Sequence, residues 1–164
     1  VMRDILPGYD VTDYITGGNI RSRLRMLIAY YHANLEGKLV IGTSNKTELL
    51  TGFFTKYGDG GVDFMPLGSL WKYNIKQLSK YLEIPENIIK KTPSPGFYEG
   101  HTDEAELGMS YDNIDLILYA YEKGLTINEI SGDLSISSSE VSRILNKVKA
   151  NQHKRANPLV LRLS

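Results

Sequence analysis

The chain has 164 residues, which fits one domain, and 41% of them are hydrophobic, enough for a packed core at this length. Its 19 basic residues balance its 19 acidic residues, so the net charge predicts neither a nucleic-acid binder nor a membrane-surface binder. The sequence has no cysteine, which excludes disulfides, cysteine-ligated zinc and a thiol nucleophile and is compatible with a reducing cytoplasm. No apolar run approaches the ~18 residues of a membrane-spanning helix.

The first third of the chain is predicted to form a helix, a strand and a second helix. The first helix is expected to begin at an N-cap at Asn19, run to about Glu36 and end at Gly37. The apolar positions that recur at the helical period are Ile20, Leu24, Leu27, Ile28, Tyr31 and Leu35. A β-branched run over 38–44 predicts a buried strand, and the second helix is expected from about Asn45. This order is typical of a parallel α/β sheet, in which ligands bind where strands end and helices begin.

Polar residues around the start of the second helix have both a structural and a functional interpretation. Thr43 and Ser44 can cap the helix, or their hydroxyl and backbone groups can hold a nucleotide. Glu48 can interact favourably with the helix dipole, or it can ligate Mg²⁺, which takes one or two carboxylates together with phosphate oxygens. The glycine-rich segment 58–61 can be a surface turn, or it can let the backbone approach a ligand closely.

The middle of the chain is predicted to alternate between helices and loops. An extended piece closed by Pro66 precedes a helix capped by Ser69. Residues 92–102 contain two prolines and two glycines and predict a loop of the length that is often functional. A further helix is expected from Ser110 to Gly124. Its inward side chains are expected to be Ile114, Ile117, Leu118 and Tyr121.

The C-terminal part, residues 125–155, is predicted to be helical. Thr126 with Glu129, and Ser137 with Glu140, have the spacing of capping boxes and start two short helices. This arrangement resembles a DNA-binding helix-turn-helix over 126–155. The side chains that could meet DNA are Ser138, Ser139, Ser142 and Arg143. The alternative is a pair of ordinary capped helices, and zero net charge favours it because phosphate contacts dominate DNA affinity.

Four segments together carry a family resemblance. GTSNKTELLTGFFTKYGDGGVDFMPLGSLWK, residues 42–72, closely resembles the central segment of NAD synthetases. GGNIRSRLRM over 17–26, TPSPGFYEGHTDEAELGMSYDNID over 92–115 and NQHKR over 151–155 are similar to other parts of that family. The resemblance implies one domain over 1–164 with the adenine-nucleotide alpha-hydrolase-like (ATP pyrophosphatase) fold, an α/β doubly wound parallel sheet with a helical C-terminal part.

The resemblance also implies an activity. NAD synthetases use ATP and Mg²⁺ to amidate deamido-NAD⁺ to NAD⁺ through an acyl-adenylate that ammonia attacks, releasing AMP and pyrophosphate. No covalent protein nucleophile is expected. Free ammonia is the simpler nitrogen source, because no glutaminase domain is recognisable. A cytoplasmic homodimer is the family expectation.

Candidate site residues follow from the resemblance position by position. ATP contacts are expected at Thr43, Lys72 and Ser94, and a Mg²⁺ ligand at Glu48. The deamido-NAD⁺ contacts are expected at Arg23, Lys56, Asp63, His153 and Lys154. Considered alone, Lys56 and Asp63 would be ordinary surface charges. His153 could simply end a solvated helix, although with Lys154 and Arg155 it forms a cationic cluster suited to a pyrophosphate.

One family motif is missing from the sequence. The ATP pyrophosphatase group has a Ser-Gly-Gly-x-Asp-Ser phosphate loop after an early strand, and no such run occurs between Val1 and Ser164. The loop would lie upstream of Val1, so the expected domain is N-terminally incomplete. We therefore expect a polypeptide that begins at Val1 to lack amidation activity, and NAD⁺ formation by it would refute this expectation.

Overall fold

The computed structural model describes residues 13–161. The helices of this part are α1 (Tyr14–Glu36), α2 (Lys46–Thr51), α3 (Lys72–Tyr81), α4 (Glu86–Ile89), α5 (Asp103–Leu107), α6 (Tyr111–Glu122), α7 (Ile127–Leu134), α8 (Ser138–Ala150) and α9 (Gln152–Arg155). Between residues 13 and 161, no helix combines the length and the apolar character needed to cross a membrane.

The first three helix starts differ in how well the sequence predicts them. α1 is capped by Asp13, whose Oδ1 accepts the Thr16 N–H at 2.9 Å, so the predicted cap at Asn19 is wrong and Asn19 lies inside the helix. α2 begins at the predicted place, with Asn45 as its N-cap. α3 begins after Trp71 and not at Ser69, because its first N–H groups are bound by side chains from other helices.

The later helix starts follow the sequence closely. Ser110 caps α6 by accepting the Asn113 N–H. Thr126 and Glu129 form a reciprocal capping box at α7, with bonds of 2.7 and 3.3 Å. Ser137 caps α8 and also donates its hydroxyl to the Glu140 carboxylate at 2.7 Å. Local side-chain chemistry therefore determines these boundaries.

The predicted sheet is represented in residues 13–161 by one parallel bridge. Ile41 pairs with Phe64, the Gly42 N–H donates to the Phe64 carbonyl at 2.9 Å, and the Asp63 N–H donates to the Val40 carbonyl at 2.9 Å. The extended character of 38–44 and the parallel orientation agree with the prediction. The full doubly wound sheet stays a prediction, since two short extended segments make a single pairing and a stable sheet needs more strands.

The hydrophobic core lies in the C-terminal half, where α5, α6, α7 and α8 pack together. Its buried members are Leu107, Tyr111, Ile114, Ile117, Leu118, Ile130, Val141, Ile144 and Leu145. The predicted inward face of α6 is confirmed except for Tyr121, which is 47% exposed. Trp71 and Phe53 pack against the edge of this core and connect it to the preceding segments.

The apolar face of α1 is not part of this core. Within the described residues, Leu27, Ile28 and Leu35 of the predicted apolar stripe are 64%, 56% and 67% exposed, so the stripe lies on the surface of this part of the chain. The helix instead packs through small residues, and Gly18 and Ser22 are buried. A Cβ on Gly18 would lie 2.5 Å from the Phe97 ring, which shows how closely the loop after residue 92 approaches α1.

Candidate functional site

A cavity of about 560 Å³ lies between the first and last segments of the described chain. Its walls come from α1, the segment 40–43, α2, the turn 52–62, the loop 94–97, α5 and the C-terminal helices. Four sequence-predicted site residues line it: Thr43, Glu48, Ser94 and Lys154. Among residues 13–161, the other candidates lie outside the lining, and they are Arg23, Lys56, Asp63, Lys72 and His153.

Glu48 is held at the cavity wall by its own helix and by Lys72. One carboxylate oxygen accepts the Asn45 N–H at 3.1 Å and completes a capping box, which was not predicted for Glu48. The carboxylate lies in the first turn of α2, where the helix dipole favours a negative charge. The other oxygen pairs with the Lys72 ammonium at 3.0 Å, and both side chains are less than one-fifth exposed. Lys72 is therefore oriented by Glu48 and does not point freely outward.

A buried tyrosine lies beneath this ion pair. The Lys72 ammonium lies 4.8 Å from the centre of the Tyr111 ring, and the Tyr111 hydroxyl donates to Asp103 Oδ2 at 2.8 Å. Burial, reinforced by the charge of Glu48, raises the pKa of Tyr111 far above its ordinary value, so the phenol stays a neutral donor. Asp103 is 6% exposed and also lines the cavity. Neither Tyr111 nor Asp103 was predicted as a site residue, although the acidic run over 103–106 was the available signal.

The glycine-rich turn is fixed to α1 by Asp59. One oxygen of its carboxylate accepts the Ser22 hydroxyl at 2.7 Å and the Thr55 N–H at 2.9 Å, while the Asp59 N–H donates back to the Ser22 hydroxyl at 2.9 Å. A Cβ on Gly58 would lie 2.4 Å from the Ser22 oxygen, so only glycine permits this approach. Asp59 and Ser22 were not predicted as site residues, and the aspartate within GDGG was the available signal.

Three of the five predicted dinucleotide contacts are linked to one another beside the cavity. Arg23 Nε donates to the Lys56 carbonyl at 3.3 Å, and the Lys56 ammonium donates to the His153 carbonyl at 2.7 Å. Asp63 accepts the Tyr30 hydroxyl at 3.2 Å and the Val40 N–H at 2.6 Å. Sequence positions that are far apart are therefore brought together, with α9 contacting the turn through backbone groups.

Cationic and amide side chains of the C-terminal helices cap the end of α2. The Lys154 ammonium donates to the carbonyls of Gly52 at 2.7 Å and Phe54 at 3.0 Å, and Arg155 donates to Leu50 at 2.6 Å. Asn151 Nδ2 donates to the Thr51 carbonyl at 3.0 Å. Burial lowers the pKa of Lys154. Most of the predicted cationic cluster thus faces backbone carbonyls, and within residues 13–161 Lys154 alone of its members lines the cavity.

The loop 92–102 is held over the cavity by His101. The Ser94 hydroxyl donates to the His101 carbonyl, and the buried imidazole contacts Glu106 through Nε2 at 2.8 Å. The His101 ring stacks on Tyr98 with centres 4.1 Å apart. The sequence predicted the loop and Ser94 but gave no signal for the role of His101.

A family model described as NAD synthase matches residues 7–158 of this chain. The chain belongs to the NAD synthase family. Among curated proteins, the NH(3)-dependent NAD(+) synthetase of Methanococcoides burtonii is 43% identical over 160 residues, which are 98% of this chain and 61% of that protein. This NAD synthase-family chain therefore spans about six-tenths of the length of the curated relatives that it matches.

Two solved structures resemble this NAD synthase-family chain. An NMN synthetase from Francisella tularensis gives a TM-score of 0.78 at 36% identity, over 92% of this chain and 58% of that one. An NH3-dependent NAD synthetase from Campylobacter jejuni gives a TM-score of 0.73 at 32% identity, over 98% of this chain and 60% of that one. The described residues therefore share the fold of these synthetases.

The donor set of the NAD synthase-family cavity fits a phosphate-bound Mg²⁺ better than a metal held by protein alone. Within the part of the chain that the structure describes, no three histidine, aspartate or glutamate side chains are grouped to hold a metal ion. Glu48 does line the cavity with a carboxylate. Mg²⁺ commonly takes one or two carboxylates together with substrate phosphates, so the Glu48 carboxylate at this wall is compatible with it.

The helix-turn-helix interpretation gains no support in this NAD synthase-family chain. Arg143, the predicted DNA-contacting cation, donates to the carbonyls of Leu107 at 2.7 Å and Gly108 at 3.0 Å and so caps α5. Val141 and Ile144 of the same helix are fully buried in the core. The two helices serve the packing of the C-terminal half.

Proposed function

We propose that this chain forms one side of the active site of an enzyme that amidates deamido-NAD⁺ to NAD⁺ with ATP and ammonia. The observation that carries the proposal is the cavity into which Thr43, Glu48, Ser94 and Lys154 converge from four separate segments. Membership of the NAD synthase family supplies the chemistry that such a cavity would serve. We further propose that the enzyme is a cytoplasmic homodimer and uses free ammonia.

The proposed reaction has two steps. The nicotinate carboxylate of deamido-NAD⁺ attacks the α-phosphorus of ATP, which forms an acyl-adenylate and expels pyrophosphate. Ammonia then attacks the acyl carbon, loses a proton and displaces AMP, which leaves the amide of NAD⁺. The protein must therefore align two nucleotides, neutralise phosphate charge and keep water from the acyl-adenylate.

The ATP side is assigned to Thr43, Lys72, Ser94 and Glu48. The Lys72 ammonium lies 3.0 Å from Glu48, in a largely buried position where a positive charge acts strongly on phosphate oxygens. Glu48 would hold Mg²⁺, whose bound charge would offset that of the triphosphate. Thr43 and Ser94 face the cavity from opposite segments, where their hydroxyl and backbone groups can orient the nucleotide.

The deamido-NAD⁺ side is assigned to Arg23, Lys56, Asp63, His153 and Lys154. Three of these are linked through the bonds from Arg23 to the Lys56 carbonyl and from Lys56 to the His153 carbonyl. These contacts bring the cationic side chains of Arg23 and Lys56 together with α9, which supports their assignment to one ligand. A dinucleotide pyrophosphate is a suitable partner for these two cationic side chains.

The test is an amidation assay of the full-length protein that carries this sequence. With ATP, Mg²⁺, ammonium and deamido-NAD⁺ we expect NAD⁺ and AMP in equal amounts. Glu48→Gln keeps the capping acceptor but removes the charge, and we expect kcat/KM to fall at least about tenfold, which corresponds to ~1.4 kcal/mol. Lys72→Met removes the ammonium assigned to the ATP phosphates and should also lower kcat/KM at least about tenfold. Lys76→Met, on the exposed side of α3, is its matched control and should leave kcat/KM within about twofold of the parent value.

Two outcomes decide the assignment. Absence of NAD⁺ formation by the unsubstituted protein would refute the activity. Because the Francisella tularensis structure is of an NMN synthetase, nicotinate mononucleotide is assayed in parallel. A kcat/KM for the mononucleotide above that for deamido-NAD⁺ would replace the dinucleotide with the mononucleotide as substrate.

A further inference from the structure

Three helices meet at a buried hydrogen-bonded pair formed by Thr47 and Asp115. The Thr47 side chain is fully buried, and its hydroxyl donates to the Asp115 carboxylate while accepting the Lys72 N–H at 3.1 Å. The other oxygen of Asp115 accepts the Tyr73 N–H at 2.9 Å. The pair therefore ties α2, which contains Thr47, and α6, which contains Asp115, to the first two residues of α3.

These bonds replace the local cap that α3 lacks. The N-cap residue Trp71 makes no side-chain bond to the N–H groups of the first turn. Helix starts leave such N–H groups unpaired unless a side chain or water accepts them. Here Thr47 and Asp115 accept the first two, so the position of α3 depends on helices that are distant in sequence.

A buried carboxylate is a costly way to hold a helix. Asp115 is 6% exposed, and burial raises its pKa, while the bonds from Thr47 and Tyr73 act in the opposite direction. Apolar residues of similar volume often stabilise a protein interior as well as buried charges do. The pair therefore supplies something that apolar packing does not, which is a directional bond to one particular backbone N–H.

That backbone N–H belongs to Lys72, and Thr47 immediately precedes Glu48. The pair thus fixes the main chain at both residues of the 3.0 Å ion pair, of which Glu48 lines the cavity. The two segments are also joined by a bond of 2.9 Å from the Lys46 N–H to the Leu70 carbonyl and by the Lys46 ammonium, which lies 4.1 Å from the centre of the Trp71 ring. Both of these contacts lie outside α3, whereas Thr47 and Asp115 accept the Lys72 and Tyr73 N–H groups of the helix itself.

We propose that Thr47 and Asp115 are positioning residues, which set the spacing of Glu48 and Lys72 for ATP phosphates. The proposal rests on the proposed function, since it assumes that these two side chains face ATP. The positioning effect is expected on the ATP side only. Lys56 and Lys154, which are assigned to deamido-NAD⁺, are held by backbone carbonyls and do not contact the pair.

The test compares two buried threonines of α2 in the full-length protein. Thr47→Val removes the hydroxyl at constant shape and breaks the link to α3. Thr51→Val removes an equally buried hydroxyl that bonds within its own helix, to the Thr47 carbonyl at 2.7 Å. Both proteins are examined by calorimetric titration with Mg²⁺-ATP and by amidation kinetics with each substrate varied in turn.

We expect Thr47→Val to weaken Mg²⁺-ATP binding and raise the KM for ATP by about tenfold or more, with the KM for deamido-NAD⁺ within about twofold of the parent value. Thr51→Val is expected to change the KM for each of the two substrates by less than about twofold. Thr47→Ser, which keeps the hydroxyl, should restore ATP binding. Equal changes for both substrates, or equal effects of the two valine variants, would overturn the proposal.

Folding and function are separated by two further outcomes. If Thr47→Val does not fold, Asp115→Asn replaces it, because the amide keeps the shape but cannot accept both bonds. Failure of both variants to fold would overturn the proposal, since the pair would then serve the fold and not the site. If the unsubstituted protein neither binds ATP nor forms NAD⁺, the proposed function is wrong and this proposal falls with it. If the unsubstituted protein is active and Thr47→Val binds ATP as the unsubstituted protein does, this proposal is overturned while the proposed function stands.

Discussion

Gly52 joins α2 to the turn that forms the cavity wall, and its replacement by alanine tests that junction. Its backbone has φ of +71°, and a Cβ there would lie 2.3 Å from the Asn151 Cβ. Gly37, which ends α1, has φ of +60°, and a Cβ there would have no neighbour within 4 Å among the described residues. Gly37→Ala is therefore a matched control, because it carries the same backbone strain without the steric overlap.

The two substitutions should differ in free energy of unfolding by a predictable amount. A left-handed alanine costs roughly 1–2 kcal/mol, and both variants share that cost. At Gly52 the methyl group also displaces Asn151, whose Nδ2 donates to the carbonyls of Thr51 and Lys147 at 3.0 Å each. Adding about 1 kcal/mol for each bond gives a total of ~3–4 kcal/mol for Gly52→Ala.

Urea denaturation followed by fluorescence of Trp71, the single tryptophan of the sequence, measures both variants. Gly52→Ala should unfold at a clearly lower urea concentration than Gly37→Ala. A difference below about 0.5 kcal/mol between them would refute the reasoning, because such a value is within the variation of ordinary surface substitutions. It would mean that the C-terminal helices move away from the turn at little cost.

Three further results are expected. Lys154→Met removes both bonds of the ammonium to backbone carbonyls and should lower the free energy of unfolding by about 1–3 kcal/mol, whereas the exposed Lys149→Met should change it by less than about 0.5 kcal/mol in the same urea experiment. Arg143→Met should destabilise by about 1–3 kcal/mol through the lost cap of α5, and anisotropy titrations at low salt should find no tight, salt-sensitive DNA binding before or after the change. Burial raises the pKa of Asp115 in the folded state, so folding favours its protonated form. The stability that Asp115 contributes is therefore fully present in acid and is lost as the pH rises through this raised pKa. The destabilisation caused by Asp115→Asn should therefore be larger in acid than at neutral pH, and a constant value across a pH series of urea curves would contradict this sign.

The local features of the fold could be predicted where neighbouring residues alone determine them. The capping residues Ser110 and Thr126 were predicted because each bonds an N–H three positions along the chain. Ser69 was wrongly expected to cap α3, since the acceptors come from Thr47 and Asp115, which are distant in sequence. Helical periodicity likewise shows that α1 has an apolar face but does not show what covers it.

The candidate site likewise could be predicted where its residues are neighbours in sequence, and not where they are distant. The residues of the segment 42–63 were recognisable as a group because they are contiguous in sequence. Tyr111 and His101 were missed because their relevance depends on contacts across the fold, with Lys72 in the first case and Glu106 in the second. Single-sequence reasoning reveals a motif, whereas the residues that orient the motif appear only when the helices are packed.

The contacts between the C-terminal helices and the end of α2 have a consequence for biosynthesis. The bond from Asn151 to Thr51 spans 100 residues and that from Lys154 to Gly52 spans 102. At about 5–20 residues per second, a ribosome would release the turn ~5–20 s before its partners emerge. During that interval the end of α2 has to remain solvated or be shielded by a chaperone. The cavity wall is thus completed only after its C-terminal partners have been translated.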